Sequence, residues 1–141
     1  MDIKAISENL YAKAEGARKN AYAPFSKFNV GAALLAVKDN SEKIYTGVNI
    51  ENSSYGATIC AERSAFACAI SDGAINRGFE FAAIAISAGD EEAVPCGICR
   101  QFMLEFSPHI AVITKNNGVI NIRSLDELMP MGFVLKPERD K

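Results

Sequence analysis

Two short cysteine-containing stretches, far apart in the chain, constrain the fold more than any other sequence feature. Cys60 precedes Glu62 by two positions, and the pair Cys96 and Cys99 follows Pro95. Three cysteine thiolates suit zinc, and a catalytic zinc site keeps three protein ligands with water in the fourth position. We therefore expect a fold that brings these three cysteines together around one zinc ion, with Glu62 beside the water as the proton carrier.

The length and composition indicate one globular domain spanning residues 1–141. The chain is 49% hydrophobic and 23% charged, which is ordinary for a folded protein, and its size suits one hydrophobic core. The formal net charge is -2 and lysines and arginines form no run, so no feature favours nucleic-acid backbones or anionic membranes. We expect a small-molecule substrate, with neither nucleic acid nor membrane as a partner.

The start of the chain and its cysteines predict a cytoplasmic protein. Met1–Lys4 carries charge where a signal peptide needs an apolar stretch, and the apolar runs elsewhere are too short to span a bilayer. Without a secretory signal, the four cysteines are expected to be metal ligands or buried thiols rather than disulfides.

Hydrophobic periodicity and turn residues predict four helices and five strands. We expect helices at 2–19, 57–70, 95–106 and 124–127, and strands at 28–37, 44–48, 79–87, 110–114 and 119–122. The helix at 95–106 is expected to begin with Pro95, whose missing N–H costs nothing there. Gly31, inside the first strand, predicts that another part of the chain approaches its backbone closely.

This order of elements predicts a three-layer α/β domain with a mixed sheet of about five strands. Its middle is a βαβ unit, which requires a parallel strand pair. Both cysteine stretches would open a helix just after a loop at the strand ends, where open α/β sheets keep their sites.

The metal site needs positive charge nearby, because three thiolates with zinc and a hydroxide would carry about two negative charges. Two helix N-termini can supply part of it. Arg63 and Arg100 each follow a ligand or Glu62 closely and can donate charged hydrogen bonds to the sulfurs. Of the two arginines, Arg63 is the favoured hydrogen-bond donor to the metal-binding sulfurs.

Other interpretations of these residues stay open at this point. Cys96 and Cys99 also fit a redox dithiol or half of a structural zinc site, and Glu62 also fits an ordinary first-turn glutamate. Cys68 lies in an apolar helical stretch and is expected to be a small core residue. His109 is expected to be a loop or strand-entry residue without a chemical role.

Several motifs together resemble the small, homotetrameric type of cytidine deaminase. The segment Cys60–Arg63 matches that family when it is taken with Pro95–Gln101. Further stretches typical of the family are Tyr22–Phe28, Val30–Leu34 and Gly47–Asn52. The similarity covers nearly the whole chain.

The resemblance implies roles for five further residues. Asn49 and Glu51 would bind the ribose hydroxyls, and Phe28 would pack against the pyrimidine. The backbone of Ala61 would contact the base, and Phe133 would reach into the site of a neighbouring subunit. Phe28 and Phe133 also fit the simpler interpretation of core residues.

The implied activity is zinc-dependent hydrolytic deamination of cytidine and deoxycytidine by a homotetramer, with Glu62 carrying protons. A deaminase of the nucleoside antibiotic blasticidin S is the nearest alternative, and the Asn49 and Glu51 pair argues against it. A deaminase of nucleic acid would need a basic channel, which this acidic chain lacks. A non-catalytic zinc-stabilised or redox module is the alternative from a different class.

Overall fold

The structure is a computed structural model and describes residues 1–135 of the chain. Its helices are α1 (Ile3–Ala17), α2 (Ala61–Ser71), α3 (Gly97–Phe106) and α4 (Leu125–Leu128). Its strands are β1 (Gly31–Lys38), β2 (Ser41–Val48), β3 (Glu80–Ser87), β4 (Ala111–Asn116) and β5 (Val119–Ser124). Among the described residues, every helix is too short or too polar to cross a membrane. Residues 136–141 of the predicted domain lie outside the described residues.

The five strands form the predicted mixed sheet, and their order in it is β2-β1-β3-β4-β5. Strand β1 is antiparallel to both of its neighbours, β3 and β4 are parallel, and β5 is antiparallel to β4. Strands β2, β3 and β4 therefore run in the same direction, and the β3–α3–β4 segment is the predicted βαβ unit. The carboxyl ends of these three strands share one edge of the sheet.

Helices cover both faces of the sheet, which confirms the three-layer α/β/α architecture. Helix α1 packs on one face, where Leu10 and Ala14 meet apolar residues of β1, β3 and β4. Helices α2 and α3 pack on the other face, and Phe66 and Met103 lie in that core. Because β1 and β3 are covered on both sides, their sequences are apolar at successive positions instead of alternating.

Two glycines let helices approach the sheet closely. A Cβ atom on Gly31 would lie 2.1 Å from the carbonyl oxygen of Ala14 in α1, which confirms the predicted close approach. A Cβ atom on Gly47 would lie 2.3 Å from the backbone nitrogen of Ala65 in α2. The helix that follows Cys60 is therefore seated directly on the backbone of β2.

The predicted starts of two strands are wrong by three residues each. Strand β1 begins at Gly31 instead of Phe28, because the Asn49 side chain binds backbone groups that strand pairing would use. Its amide oxygen accepts a hydrogen bond from the Val30 nitrogen at 2.9 Å, and its amide nitrogen donates one to the Phe28 carbonyl oxygen at 2.7 Å. Strand β2 begins at Ser41 instead of residue 44, because a tight turn with φ of 52° at Asp39 closes the hairpin early.

Two predicted helix starts are also wrong, and both errors concern the cysteines. Helix α2 begins at Ala61 instead of residue 57, because backbone pairing between Ile50 and Ile59 keeps the chain extended up to Cys60. Helix α3 begins at Gly97, because Cys96 takes the N-cap position with extended backbone. Pro95 thus lies before the helix instead of in its first turn.

Candidate active site

The two cysteine stretches meet at the edge where β2 and β3 end. The segment 49–60 leads from β2 to α2, and the segment 88–96 leads from β3 to α3. Both helices therefore begin above the same edge, and Cys60 and Cys96 are their N-cap residues. This is the edge at which open α/β sheets hold ligands.

The three predicted ligand cysteines lie together. The Sγ atoms of Cys60 and Cys96 are 3.8 Å apart, and those of Cys60, Cys96 and Cys99 all lie within 4.8 Å of one another. Zn–S bonds of about 2.3 Å in tetrahedral geometry separate the sulfurs by about 3.8 Å. The cluster therefore fits zinc in spacing as well as in ligand chemistry. All four cysteines are free, and Cys68 lies exposed on α2, away from this cluster and outside the core position expected for it.

Aromatic packing between α2 and α3 keeps the ligand-bearing helices in place. Phe66 of α2 is fully buried, and its ring centroid lies 6.0 Å from that of Phe102 and 5.9 Å from that of Phe106 in α3. Phe81 of β3 contacts the same ring at 5.0 Å. The starts of α2 and α3, which carry the cysteines, are therefore fixed by an aromatic core that the two helices share.

The surroundings of the cluster favour thiolate at Cys60. Nη2 of Arg63 lies 3.6 Å from the Cys60 sulfur. The neighbouring Cys99 thiol donates a hydrogen bond to the Cys60 sulfur, and this bond, together with Arg63, lowers the pKa of Cys60 to about 5. The pKa of Cys99 is raised, because its proton is held in this hydrogen bond and because the thiol is buried. Arg100 points elsewhere, since its guanidinium donates to the carbonyl oxygens of Pro95 and Leu128 at 2.7 Å each. Of the two candidate arginines, Arg63 alone is placed toward a sulfur.

Glu62 lies in the first turn of α2, beside the cluster. It is only 4% exposed, and burial raises the pKa of its carboxyl group above the ordinary value. A raised pKa brings a carboxyl group closer to the pH at which it must both accept and release a proton. The residue therefore has the property that a proton carrier needs.

A cavity of about 180 Å³ opens onto Cys60, Cys96 and Glu62. It contains three of the predicted substrate-binding residues, namely Phe28, Asn49 and Ala61. Four apolar residues for which no substrate role was predicted complete its wall: Val30, Ile86, Ala93 and Val94. Two of them had a usable signal in the sequence, since Val30 begins a stretch typical of the family that the chain resembles and Ile86 lies near the carboxyl end of a predicted strand.

Asn49 organises the part of the cavity that carries Phe28. Its two hydrogen bonds to Phe28 and Val30 use one amide proton and one oxygen lone pair. A second amide proton and a second lone pair remain for a ligand. Phe28 is 41% exposed and is therefore a cavity residue and not a core residue.

Glu51 and Phe133 do not line this cavity. The Glu51 carboxylate accepts hydrogen bonds from the backbone nitrogens of Phe25 and Ser26 at 2.8 and 3.1 Å and from the Ser26 hydroxyl. It faces a neighbouring groove lined by Phe25, Ser26, Asn52, Tyr55 and Thr58. Phe133 is 67% exposed, and its carbonyl oxygen accepts a hydrogen bond from Gln101.

The sequence matches the family model for the cytidine and deoxycytidylate deaminase zinc-binding region over residues 4–115. The chain belongs to this deaminase family. A cytidine deaminase of Sporosarcina psychrophila is 46% identical over 89% of this chain and 90% of its own length. The crystal structure of a cytidine deaminase from Burkholderia pseudomallei superposes with a TM-score of 0.77 at 40% identity, covering 89% of this chain and 98% of that one.

A blasticidin-S deaminase of Bacillus cereus is a more distant relative of this deaminase, with 29% identity over 77% of this chain and 79% of its own length. The family model is that of a zinc-binding region, and the three-cysteine cluster provides a site with the right donors and spacing. Zinc is therefore the cofactor of this deaminase.

Proposed function

We propose that this protein is a zinc-dependent cytidine deaminase, which hydrolyses cytidine to uridine and deoxycytidine to deoxyuridine with release of ammonia. The observation that carries the proposal is the buried Glu62, which lies beside three clustered cysteines at a largely apolar cavity. Its membership of the deaminase family and its similarity to cytidine deaminases support the substrate class.

Cys60, Cys96 and Cys99 would hold the metal. When bound, zinc supplies the Lewis acidity that makes water nucleophilic near neutral pH. Glu62 accepts a proton from the attacking water and donates it to N3 of the pyrimidine as C4 is attacked. The same carboxyl group then carries a second proton to the departing amine. Arg63 offsets the negative charge of the thiolates through its contact with Cys60.

The cavity residues would orient the nucleoside. Phe28 packs against the pyrimidine, and the backbone of Ala61 meets the polar edge of the base. The remaining hydrogen-bonding capacity of Asn49 is directed to the ribose, together with Glu51. The position of Glu51 at the adjoining groove supports a ribose site between the cavity and that groove.

We also propose a homotetramer in which Phe133 reaches the site of a neighbouring subunit. Support comes from large apolar side chains that are exposed in the single chain and that subunit contacts would cover: Phe25, Tyr55, Met131, Phe133 and Leu135. Sedimentation analysis of the active protein tests this proposal. A fully active monomer would contradict it.

Three further parts of the proposal concern the setting of the enzyme. We propose a cytoplasmic location, because the reducing conditions there keep the ligand thiols reduced. Cell fractionation tests this location. Deamination there would return cytosine nucleosides to the uridine pool, which is pyrimidine salvage. The proposal of a single domain is supported by the two hydrophobic clusters, which pack against one sheet within residues 1–135.

The first experiment follows uridine formation from cytidine by the zinc-loaded protein, with Glu62→Ala in parallel. We expect turnover by the wild type and a fall in kcat of at least about a hundredfold in the variant. Glu105→Ala, at an exposed glutamate of α3, is the matched control and should retain full activity. Turnover of blasticidin S without turnover of cytidine would identify the antibiotic deaminase instead, and turnover of neither would indicate a non-catalytic zinc module.

A further inference from the structure

The segment 88–96 forms one wall of the cavity and delivers a ligand cysteine. Ala93 and Val94 line the cavity, and Cys96 ends the segment. Its first half is a turn closed by backbone pairing between Ala88 and Glu91. Its far end is held by the hydrogen bond from Arg100 to the Pro95 carbonyl. Between these two anchors lies Glu92.

Three side-chain donors converge on one carboxylate oxygen of Glu92. Oε1 accepts from the Thr114 hydroxyl at 2.7 Å, from Nη1 of Arg123 at 2.8 Å and from Nδ2 of Asn121 at 3.4 Å. Thr114 and Asn121 are directly opposed in the β4–β5 ladder, and Arg123 lies two residues further along the same face. The sheet thus presents a preformed set of hydrogen-bond donors to the carboxylate of this glutamate.

This contact differs from an ordinary surface ion pair. The side chain of Glu92 is 16% exposed, that of Arg123 is 33% exposed, and Thr114 is fully buried. The hydrogen bonds from Arg123 and Thr114 hold the pKa of Glu92 below its usual value. Within residues 1–135, Glu92 provides the side-chain hydrogen bonds that tie the segment 88–96 to β4 and β5.

We propose that Glu92 is a positioning residue for the deaminase site. Its carboxylate fastens the segment 88–96 onto β4 and β5, and thereby sets the wall formed by Ala93 and Val94 and the position of Cys96. Glu92 does not line the cavity, so it acts through these residues without touching the substrate. The substrate part of this inference rests on the proposed function, whereas the part that concerns Cys96 does not.

The test compares Glu92→Ala and Glu92→Gln with the control Glu91→Ala. Glu91 is a neighbouring exposed glutamate that takes no part in the hydrogen bonds of Glu92. Three quantities are measured: the KM and the kcat for cytidine, and the rate at which zinc passes from the protein to a chromophoric chelator. For Glu92→Ala we expect KM to rise about tenfold with kcat within about threefold, and zinc release to accelerate about tenfold. Glu92→Gln keeps the shape of the side chain, so its KM and its rate of zinc release should lie between those of Glu92→Ala and the wild type.

Arg123→Gln and the double variant Glu92→Ala/Arg123→Gln show whether the two residues act together. The double variant should be no worse than Glu92→Ala, because the interaction is already lost. A fully additive loss would contradict the proposal. So would a Glu92→Ala protein with wild-type KM and wild-type zinc release, whether or not its melting temperature falls.

The two readouts separate this inference from the proposed function. If the wild type fails to turn over cytidine, the proposed function fails, while the chelator experiment still decides whether Glu92 holds Cys96 in place. If Glu92→Ala does not fold, Glu92→Gln decides the question. Wild-type zinc release and KM in that variant would then overturn the proposal.

Discussion

Cys60 and Cys96 are both N-cap residues, and their sulfur atoms lie 3.8 Å apart. This meeting follows from the sheet topology, because β2 and β3 run in the same direction on either side of β1. The helices that follow these strands start at one edge and direct the positive ends of their dipoles toward the sulfurs. Metal binding is thus coupled to the correct assembly of the sheet.

The clustered cysteines predict one zinc ion per chain. Cys99→Ser should weaken zinc binding by at least about tenfold, because a hydroxyl group is a poor replacement for a thiolate ligand. Cys68→Ser is the matched control, since Cys68 lies on α2 outside the cluster, and it should bind zinc like the wild type. Metal analysis after dialysis against a competing chelator measures both. Equal affinity in the two variants would contradict the ligand assignment.

Arg63→Ala should weaken zinc binding and slow turnover. Nη2 of Arg63 lies 3.6 Å from the Cys60 sulfur, so the variant leaves the negative charge of the thiolates less compensated. Loss of such a partner typically costs about 10- to 100-fold in metal affinity or activity. Arg77→Ala removes an arginine near the other end of α2 and should leave both quantities unchanged. The assignment is wrong if Arg63→Ala matches the wild type in zinc affinity and in kcat.

Gly47→Ala should displace the start of α2. The added Cβ would lie 2.3 Å from the nitrogen of Ala65 and 2.6 Å from the carbonyl oxygen of Ala61, and neither backbone group can move freely. Such overpacking costs about 1–3 kcal/mol in the free energy of unfolding. We also expect weaker zinc binding, because Cys60 directly precedes the displaced turn. Urea denaturation and zinc titration measure the two effects.

Gly56→Ala is the control for this substitution. Gly56 has no atom within 4 Å of the position where a Cβ would be added, so stability and zinc affinity should stay at the wild-type values. If Gly47→Ala is as stable as Gly56→Ala, the close packing of α2 on β2 does not limit the site.

The metal cluster was predictable because zinc chemistry restricts both the ligand type and the spacing. Five strands, four helices and the layer order followed from periodicity, since buried strands and amphipathic helices differ in pattern. The exact starts of α2 and α3 were not predictable, because they depend on the backbone pairing of Ile50 with Ile59 and on the extended backbone of Cys96 at the N-cap position. These are tertiary effects that local preferences do not encode.

The wall of the cavity and its support were also beyond the sequence. Ala93 and Val94 are small apolar residues without a chemical signature, and only the folded segment places them beside Glu62. The contact of Glu92 depends on the register that sets Thr114 opposite Asn121. A register of this kind is fixed by the turn and by the packing of the whole sheet.

Asp72 predicts a pH-dependent contribution to stability at the end of α2 that lies away from the cysteines. Its carboxylate accepts hydrogen bonds from the Tyr45 hydroxyl at 2.6 Å and from Arg77 at 2.9 Å, and these bonds hold its pKa below the ordinary value. A depressed folded-state pKa stabilises the protein above the unfolded-state pKa. This contribution is lost as the pH falls through the folded-state pKa.

Asp72→Asn should therefore lower the urea midpoint at pH 7, and the difference from the wild type should shrink below about pH 4. Asp90→Asn, at an exposed aspartate of the 88–96 segment, should match the wild type at both pH values. Zinc content is measured in the same samples, because Asp72 lies far along α2 from Cys60 and its loss should leave zinc binding unchanged. A difference between Asp72→Asn and the wild type that stays constant from pH 7 to pH 3 would show that packing, and not the charge of Asp72, stabilises this end of the helix.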